Sequence, residues 1–182
     1  KKGSPFPDAK MPGTIDGQMF VIEDCEDTEL VVMDHCEQVQ IDNVKNSQIF
    51  IGACESSIFI RNCENCTFYV ACRQLRLREV VNSTFYSFST AEVHIEYSNT
   101  CKFAPFNGGY PDQSAHFKVA KLPLDHNLWY DIFDHNDPEK TGSNWSLLPE
   151  SAYQEWFPMG ACERCIPLTK PGTVIRVDDD TT

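Results

Sequence analysis

Ile49-Phe50-Ile51, Ile58-Phe59-Ile60 and Phe68-Tyr69-Val70 follow one another in the chain, separated by Gly52-Ala53-Cys54-Glu55-Ser56-Ser57 and Arg61-Asn62-Cys63-Glu64-Asn65-Cys66-Thr67. Each triplet is β-branched or aromatic, and the connectors are dominated by Asn, Cys, Ser and Gly rather than by helix formers. Three residues are too few for an independent strand in an open sheet. Similar triplets continue on both sides: Phe20-Val21-Ile22, Leu30-Val31-Val32 and Val39-Gln40-Ile41 before, and Leu75-Arg76-Leu77, Phe85-Tyr86-Ser87, Val93-His94-Ile95 and Cys101-Lys102-Phe103 after. Two successive centres make a period of roughly 17–19 residues, the length of one coil of a parallel β-solenoid. Helical solenoids are excluded by the same connectors.

Register follows from the period. Val39-Gln40-Ile41, Ile58-Phe59-Ile60, Leu75-Arg76-Leu77 and Val93-His94-Ile95 are expected to stack as one column, with Asn46, Asn65 and Asn82 together at a corner. Side chains alternate along a strand, so the apolar flanks fill the interior and the middle residues point out. That places Gln40, Phe59, Arg76, His94 and Lys102 on one outer face and Val31, Phe50, Tyr69 and Tyr86 on another. The corner asparagines are expected to satisfy backbone groups in tight turns.

The period breaks after residue 104, where Pro105, Gly108-Gly109 and Pro111 mark a turn. A short helix is expected from Gln113 to Ala120 with Asp112 as its N-cap, and another after Pro149. Trp129, Trp145 and Trp156 are expected to close the open end of the solenoid. The organisation read from the sequence is a flexible segment 1–11, a parallel β-helix 12–105, an extension 106–160 packed on it, and a tail 161–182 with Val177-Asp178-Asp179-Asp180 frayed.

The chain has 182 residues and a formal charge of −12, from 15 basic and 27 acidic side chains. That balance opposes the phosphate attraction on which nucleic-acid binders depend, so nucleic acid is not an expected partner. No apolar run approaches the length needed to span a bilayer. The sequence begins Lys1-Lys2-Gly3-Ser4 and reads as a fragment or processed piece. Membrane contact is expected only through an N-terminal lipid anchor preceding it. Nine cysteines, an odd number without a signal peptide, read as reduced thiols of a cytoplasmic protein.

Arg73, Arg76 and Arg78 cluster in an acidic chain. Arg76 and Arg78, two apart, face outward from one strand with Leu75 and Leu77 inside. By composition alone they form a solvated face. Cys63-x-x-Cys66 and Cys162-x-x-Cys165 have the spacing of zinc half-sites, but nearly a hundred residues separate them and the first pair falls in a repeat corner, so no metal site is expected. His35, His94, His116, His126 and His135 show no HExxH spacing. No Gly-Lys-Ser/Thr loop is present, so the chain is not expected to bind GTP itself.

Several blocks resemble the tubulin-binding cofactor C-like (C-CAP/cofactor C-like) domain family. They are Pro12-Gly13-Thr14, Gly17-Gln18, Asp24-Cys25, Asp34-His35, Ile41-Asp42, Arg61-Asn62-Cys63 and Ala71-Cys72-Arg73-Gln74-Leu75-Arg76, then Tyr110-Pro111, Phe117-Lys118 and Asn144-Trp145-Ser146-Leu147-Leu148-Pro149-Glu150. The resemblance implies a mainly β protein, a right-handed parallel β-helix with a short mixed α/β extension, monomeric and docking on a GTP-bound Arf-like small GTPase. It implies a GTPase activator rather than an enzyme with its own GTP site, with GTP and Mg²⁺ carried by the partner and lipidated cargo released in consequence. Arg76 corresponds to the family's arginine finger and Gln74 to its neighbouring glutamine. Arg73 stands where the family commonly has a second glutamine. Glu96 is expected to orient Arg76, and Arg73, Arg78, His94, Phe59 and Phe133 to contact the partner. The resemblance also suggests a place at the ciliary base, basal body or plasma membrane. The alternatives are a non-catalytic GTPase-binding scaffold and a tubulin-folding cofactor acting on β-tubulin.

Overall fold

In the computed structural model, residues 15–171 are described. The expectations for segment 1–11, for Pro12-Gly13-Thr14 and for the Val177–Asp180 tail lie outside them. The first eight strands are β1 (Phe20–Glu26), β2 (Glu29–Cys36), β3 (Val39–Lys45), β4 (Gln48–Glu64), β5 (Thr67–Val81), β6 (Thr84–Ser89), β7 (Val93–Glu96) and β8 (Cys101–Pro105). Every pairing among them is parallel. The chain is a β-solenoid.

The stacking follows the repeat. Phe59 pairs with Gln40 on one side and Arg76 on the other, and Arg76 pairs with His94. Flanking residues point inward as alternation requires: Ile49, Ile51, Ile58, Ile60, Leu75 and Val93 are buried in one core. Phe68, Phe85 and Phe103 form an interior ladder, with ring centroids 5.1 and 5.2 Å apart. Burying each such ring contributes about 1.5–3 kcal/mol.

Two features of the coil depart from the two-triplet reading. The β4–β5 ladder breaks register between Phe50 and Ala53 and again between Cys54 and Ser57. Each coil therefore has a third straight segment, Ala53-Cys54 over Ala71-Cys72, continued by Phe88-Ser89. This side puts Cys36, Cys54 and Cys72 into the interior. Burial pushes the Cys36 and Cys54 thiols up to about 12, so they act as small apolar side chains. All nine cysteines are free, and the four of the two CxxC pairs do not assemble: Cys63 and Cys66 lie in the solenoid core. Lys102 likewise leaves the predicted face. It pairs with Thr84, in the other column, two residues before Ala104, which continues the Tyr69–Tyr86 row.

Corners are made by left-handed residues. Asn46, Asn65 and Asn82 have φ of 50°, 55° and 46°, and so do Asp24, Asn43 and Asn62, at 53°, 58° and 51°. Asn and Asp tolerate this region best among residues with a Cβ. Their side chains bond to one another rather than to turn backbone: Asn82 Nδ2 donates to Asn65 Oδ1 at 2.6 Å, and Asn62 Nδ2 to Asn43 Oδ1 at 2.7 Å. In later coils the same corners are held by Glu79, Tyr97 and Thr100.

The extension both covers and lengthens the solenoid. After β9 (Gly108–Gly109) comes helix α1 (Gln113–Val119), then β10 (Ile132–Asp134), β11 (Trp145–Leu147), a 3-10 turn at Glu150–Ala152, and β12 (Phe157–Pro158). Asp112 sits at the N-cap of α1 but in the left-handed region, with no side-chain cap bond. β10 adds to β7 and β11 to β8, so two more rungs follow the break at residue 104. Trp129 is fully buried in the main core and Trp145 packs edge-on against Phe103, whereas Trp156 lies beside Gly109 under the Arg164 guanidinium. Residues 161–171 pack rather than trail: Trp129 Nε1 donates to the Thr169 carbonyl at 2.8 Å, and Ile166 is buried. The outward row Phe50, Tyr69 and Tyr86 is not a free face, because Phe106, Tyr110, Phe117 and Phe157 close over it as a second core. No helix among the described residues is long and apolar enough to cross a membrane.

Candidate functional site

Leu75 and Leu77 anchor the second half of β5 in the core, at 0 and 3 % exposure, and alternation turns Arg76 and Arg78 out. Along the column the outward row reads Val21, Gln40, Phe59, Arg76, His94 and Phe133. Phe133 thus joins the row as a strand partner of His94, and its ring packs 5.5 Å from the His94 ring and 4.8 Å from that of His135. A parallel row two residues along contains Asp42, Arg61, Arg78 and Glu96. A shallow hollow of about 220 Å³ lies between the rows, lined by Phe59, Arg61, Arg76, Arg78, His94 and Glu96 among others.

The arginines differ in what they touch. Arg61 makes a bidentate pair with Asp42, at 2.6 and 2.7 Å. Arg78 lies 3.8 Å from Glu96, 3.7 Å from Glu79 and over the Tyr97 ring. Arg73 reaches Ser56 Oγ at 3.4 Å. Arg76 has no hydrogen-bond or carboxylate partner among the described residues, and its guanidinium carbon stands 5.4 Å from the centre of the Phe59 ring. Glu96 therefore does not orient Arg76 here. The register sets it opposite Arg78, two residues further along the strand.

His94 flanks Arg76 on the other side. Its Nδ1 lies 3.0 Å from His135 Nε2 and its Nε2 lies 3.4 Å from Glu92. Burial lowers its pKa, Glu92 works against that, and the His135 and Arg76 charges add to it. The neutral imidazole is thereby favoured beside a fixed cation. Gln74, half-buried, pairs with Ser57 of β4 two residues before Arg76 on β5. A larger hollow, about 670 Å³, lies beside Asn46, Asn65 and Thr67, and its lining carries one charged side chain, Lys102. It offers no set of groups for phosphate or acid–base chemistry.

One assembly went unseen in the sequence. Asp34 and His35 on β2 meet His116 on α1, with one donor atom from each within 4.8 Å of the others. His126 remains exposed. The signal for this cluster was absent because 81 positions separate the two histidines (116 − 35) and no short spacing records their meeting.

Known proteins share this architecture and sequence. The profile described as "Tubulin binding cofactor C" matches residues 17–135. Protein XRP2 of Mus musculus is 35 % identical over 172 residues, 94 % of this chain and 47 % of that protein. Protein XRP2 of Gallus gallus is 39 % identical over 155 residues, 85 % of this chain and 43 % of that protein. Tubulin-specific chaperone C of Homo sapiens is 27 % identical over 114 residues, 62 % and 33 % of the two chains. The chain spans less than half the length of these curated relatives. Tubulin Binding Cofactor C from Leishmania major has the same fold, with a TM-score of 0.64 at 23 % identity over 72 % of this chain and 89 % of that one. The profile covers the coils that carry the Arg76 row and ends just beyond the Phe133 rung, and by that match the chain belongs to the tubulin binding cofactor C family.

Proposed function

We propose that this domain activates a GTP-bound Arf-like small GTPase by inserting Arg76 beside the nucleotide's β- and γ-phosphates. The observation that carries the reading is the state of Arg76: exposed, free of any carboxylate among the described residues, and held over Phe59 on a strand of the solenoid. A planar fork with five donors and a fixed charge suits the negative charge that redistributes over phosphate oxygens in the transition state. A rigid strand presents it without the entropy cost of ordering a loop. Arg61 and Arg78 are already paired and serve the surrounding surface. Gln74 and Arg73 precede the finger on the same strand, and Phe59, His94, Arg78, Glu96 and Phe133 form the docking rows. GTP and Mg²⁺ belong to the partner in this reading, and hydrolysis resets the partner and releases its lipidated cargo.

Single-turnover GTP hydrolysis by candidate Arf-like proteins tests it. The wild-type chain should accelerate the step by on the order of 10³–10⁵, and Arg76→Ala should abolish that gain while still binding the GTPase. Equal acceleration by both would sink the assignment. A second reading takes tubulin as the partner, because a Tubulin-specific chaperone C is among the relatives. The same pair of proteins assayed with GTP-loaded tubulin separates the two.

A further inference from the structure

Asp34 is buried, yet it faces two imidazoles. Its Oδ1 lies 3.3 Å from His35 Nδ1 and 3.7 Å from His116 Nε2. These separations are long for carboxylate–imidazole hydrogen bonds. They are close to the ~3.3 Å spacing of adjacent ligands around a tetrahedral ion with bonds of about 2.0–2.1 Å. His35 Nδ1 is buried without a hydrogen-bond partner, a vacancy that normally calls for an explanation.

The far sides of Asp34 and His116 are held. Asp34 Oδ2 accepts from the Ile15 and Asp16 backbone N–H groups at 2.5 and 3.1 Å, and Oδ1 accepts from that of His35 at 2.8 Å. His116 Nδ1 pairs with the Tyr110 hydroxyl at 3.2 Å, and His35 Nε2 lies 3.7 Å from Asp16. In the tautomer whose Nδ1 donates to Tyr110, the lone pair of His116 Nε2 faces Asp34. Partners behind the ligands that fix tautomer and ring orientation are the mark of metal-binding histidines.

We propose that Asp34, His35 and His116 bind one first-row divalent cation of the zinc type, with the remaining position open to water. The donor set of two imidazoles and a carboxylate suits zinc and cobalt better than calcium or magnesium. Asp34 and His35 come from β2 and His116 from α1, so the ion ties helix α1 to the solenoid. The site lies on a different side of the coil from the Arg76 row, since His35 continues the Ala53–Ala71 segment. It stands or falls independently of the GTPase reading.

The test is titration of the metal-stripped chain with Co²⁺ under reducing conditions. One equivalent should bind and give d–d absorption without thiolate-to-cobalt charge transfer, and Zn²⁺ should compete for it and raise Tm. His116→Gln and His35→Gln, each checked for native circular dichroism, should weaken binding at least tenfold, and Tyr110→Phe by about tenfold. Cys162→Ser/Cys165→Ser should leave it unchanged. The proposal is overturned if no equivalent binds, if the bound cobalt shows thiolate charge transfer, or if either folded histidine variant binds as wild type does.

Discussion

Ile49-Phe50-Ile51 and Ile58-Phe59-Ile60 are the same tripeptide, both in β4, both with isoleucines in the core and the phenylalanine pointing out. Phe50 is fully buried beneath Tyr110, Phe106 and Phe157. Phe59 is half-exposed and carries the Arg76 guanidinium. An outward position on a solenoid is therefore not a fixed environment. What arrives from elsewhere in the chain decides whether it becomes a second core or a working surface.

The comparison can be pressed from its largest expected effect downward. On the proposed function, Arg76→Ala should remove nearly all of the expected acceleration of GTP hydrolysis, on the order of 10³–10⁵, with Tm unchanged because the side chain packs on one ring only. Phe50→Ala should do the reverse. Denaturant unfolding should show a loss of about 3–5 kcal/mol from the cavity, while activation per folded molecule stays near wild type. A Phe50→Ala chain as stable as wild type would mean that the cover over this face contributes little.

Phe59→Ala should fall between. Losing the cation–π contact of about 0.5–1 kcal/mol leaves the finger less fixed, and a several-fold drop in activation with little change in stability is expected. Thr100→Asn tests the corners, because a β-branched residue at φ 54° occupies a position that Asn82 and Asn65 fill below it. A gain of about 0.5–1 kcal/mol in chemical unfolding is expected, with no effect on activity.

The smallest effect concerns pH. Burial sets the folded-state pKa of His94 below its ordinary value of 6.5. The unfolded chain therefore takes up the proton first, so the stability contributed by neutral His94 is present above pH ~6.5 and is lost as pH falls through the folded pKa. His94→Gln should flatten the stability profile in that window. A slope unchanged by the substitution would assign it to other groups.

Much of this was written in local residues. The period of 17–19, the inward isoleucines, and the stacking of Phe59, Arg76 and His94 depend only on side-chain alternation and coil length, and both can be read along the chain. Lys102 was misplaced because Cys101-Lys102-Phe103 was assigned to the Arg76 column, whereas register stacks it on the strand of Phe85-Tyr86-Ser87. Glu96 was set beside Arg76 when a two-residue offset along the strand puts it opposite Arg78. The covering of Phe50 and the meeting of His35 with His116 depend on segments far along the chain, and nothing in the local pattern encodes them.

The Phe133 rung has a kinetic side. Rungs within the coils join residues 17 to 19 apart, so they can be laid down one on the next with small loops to close. The rung that sets β10 on β7 joins His94 to Phe133 across 39 positions. Closing the larger loop delays its formation relative to the coils beneath it, and we expect its amides to gain protection later than theirs in pulsed hydrogen exchange during refolding. A nascent chain would then display Arg76 on a stacked solenoid before its neighbouring rung exists, and the complete docking row would be a late product of folding.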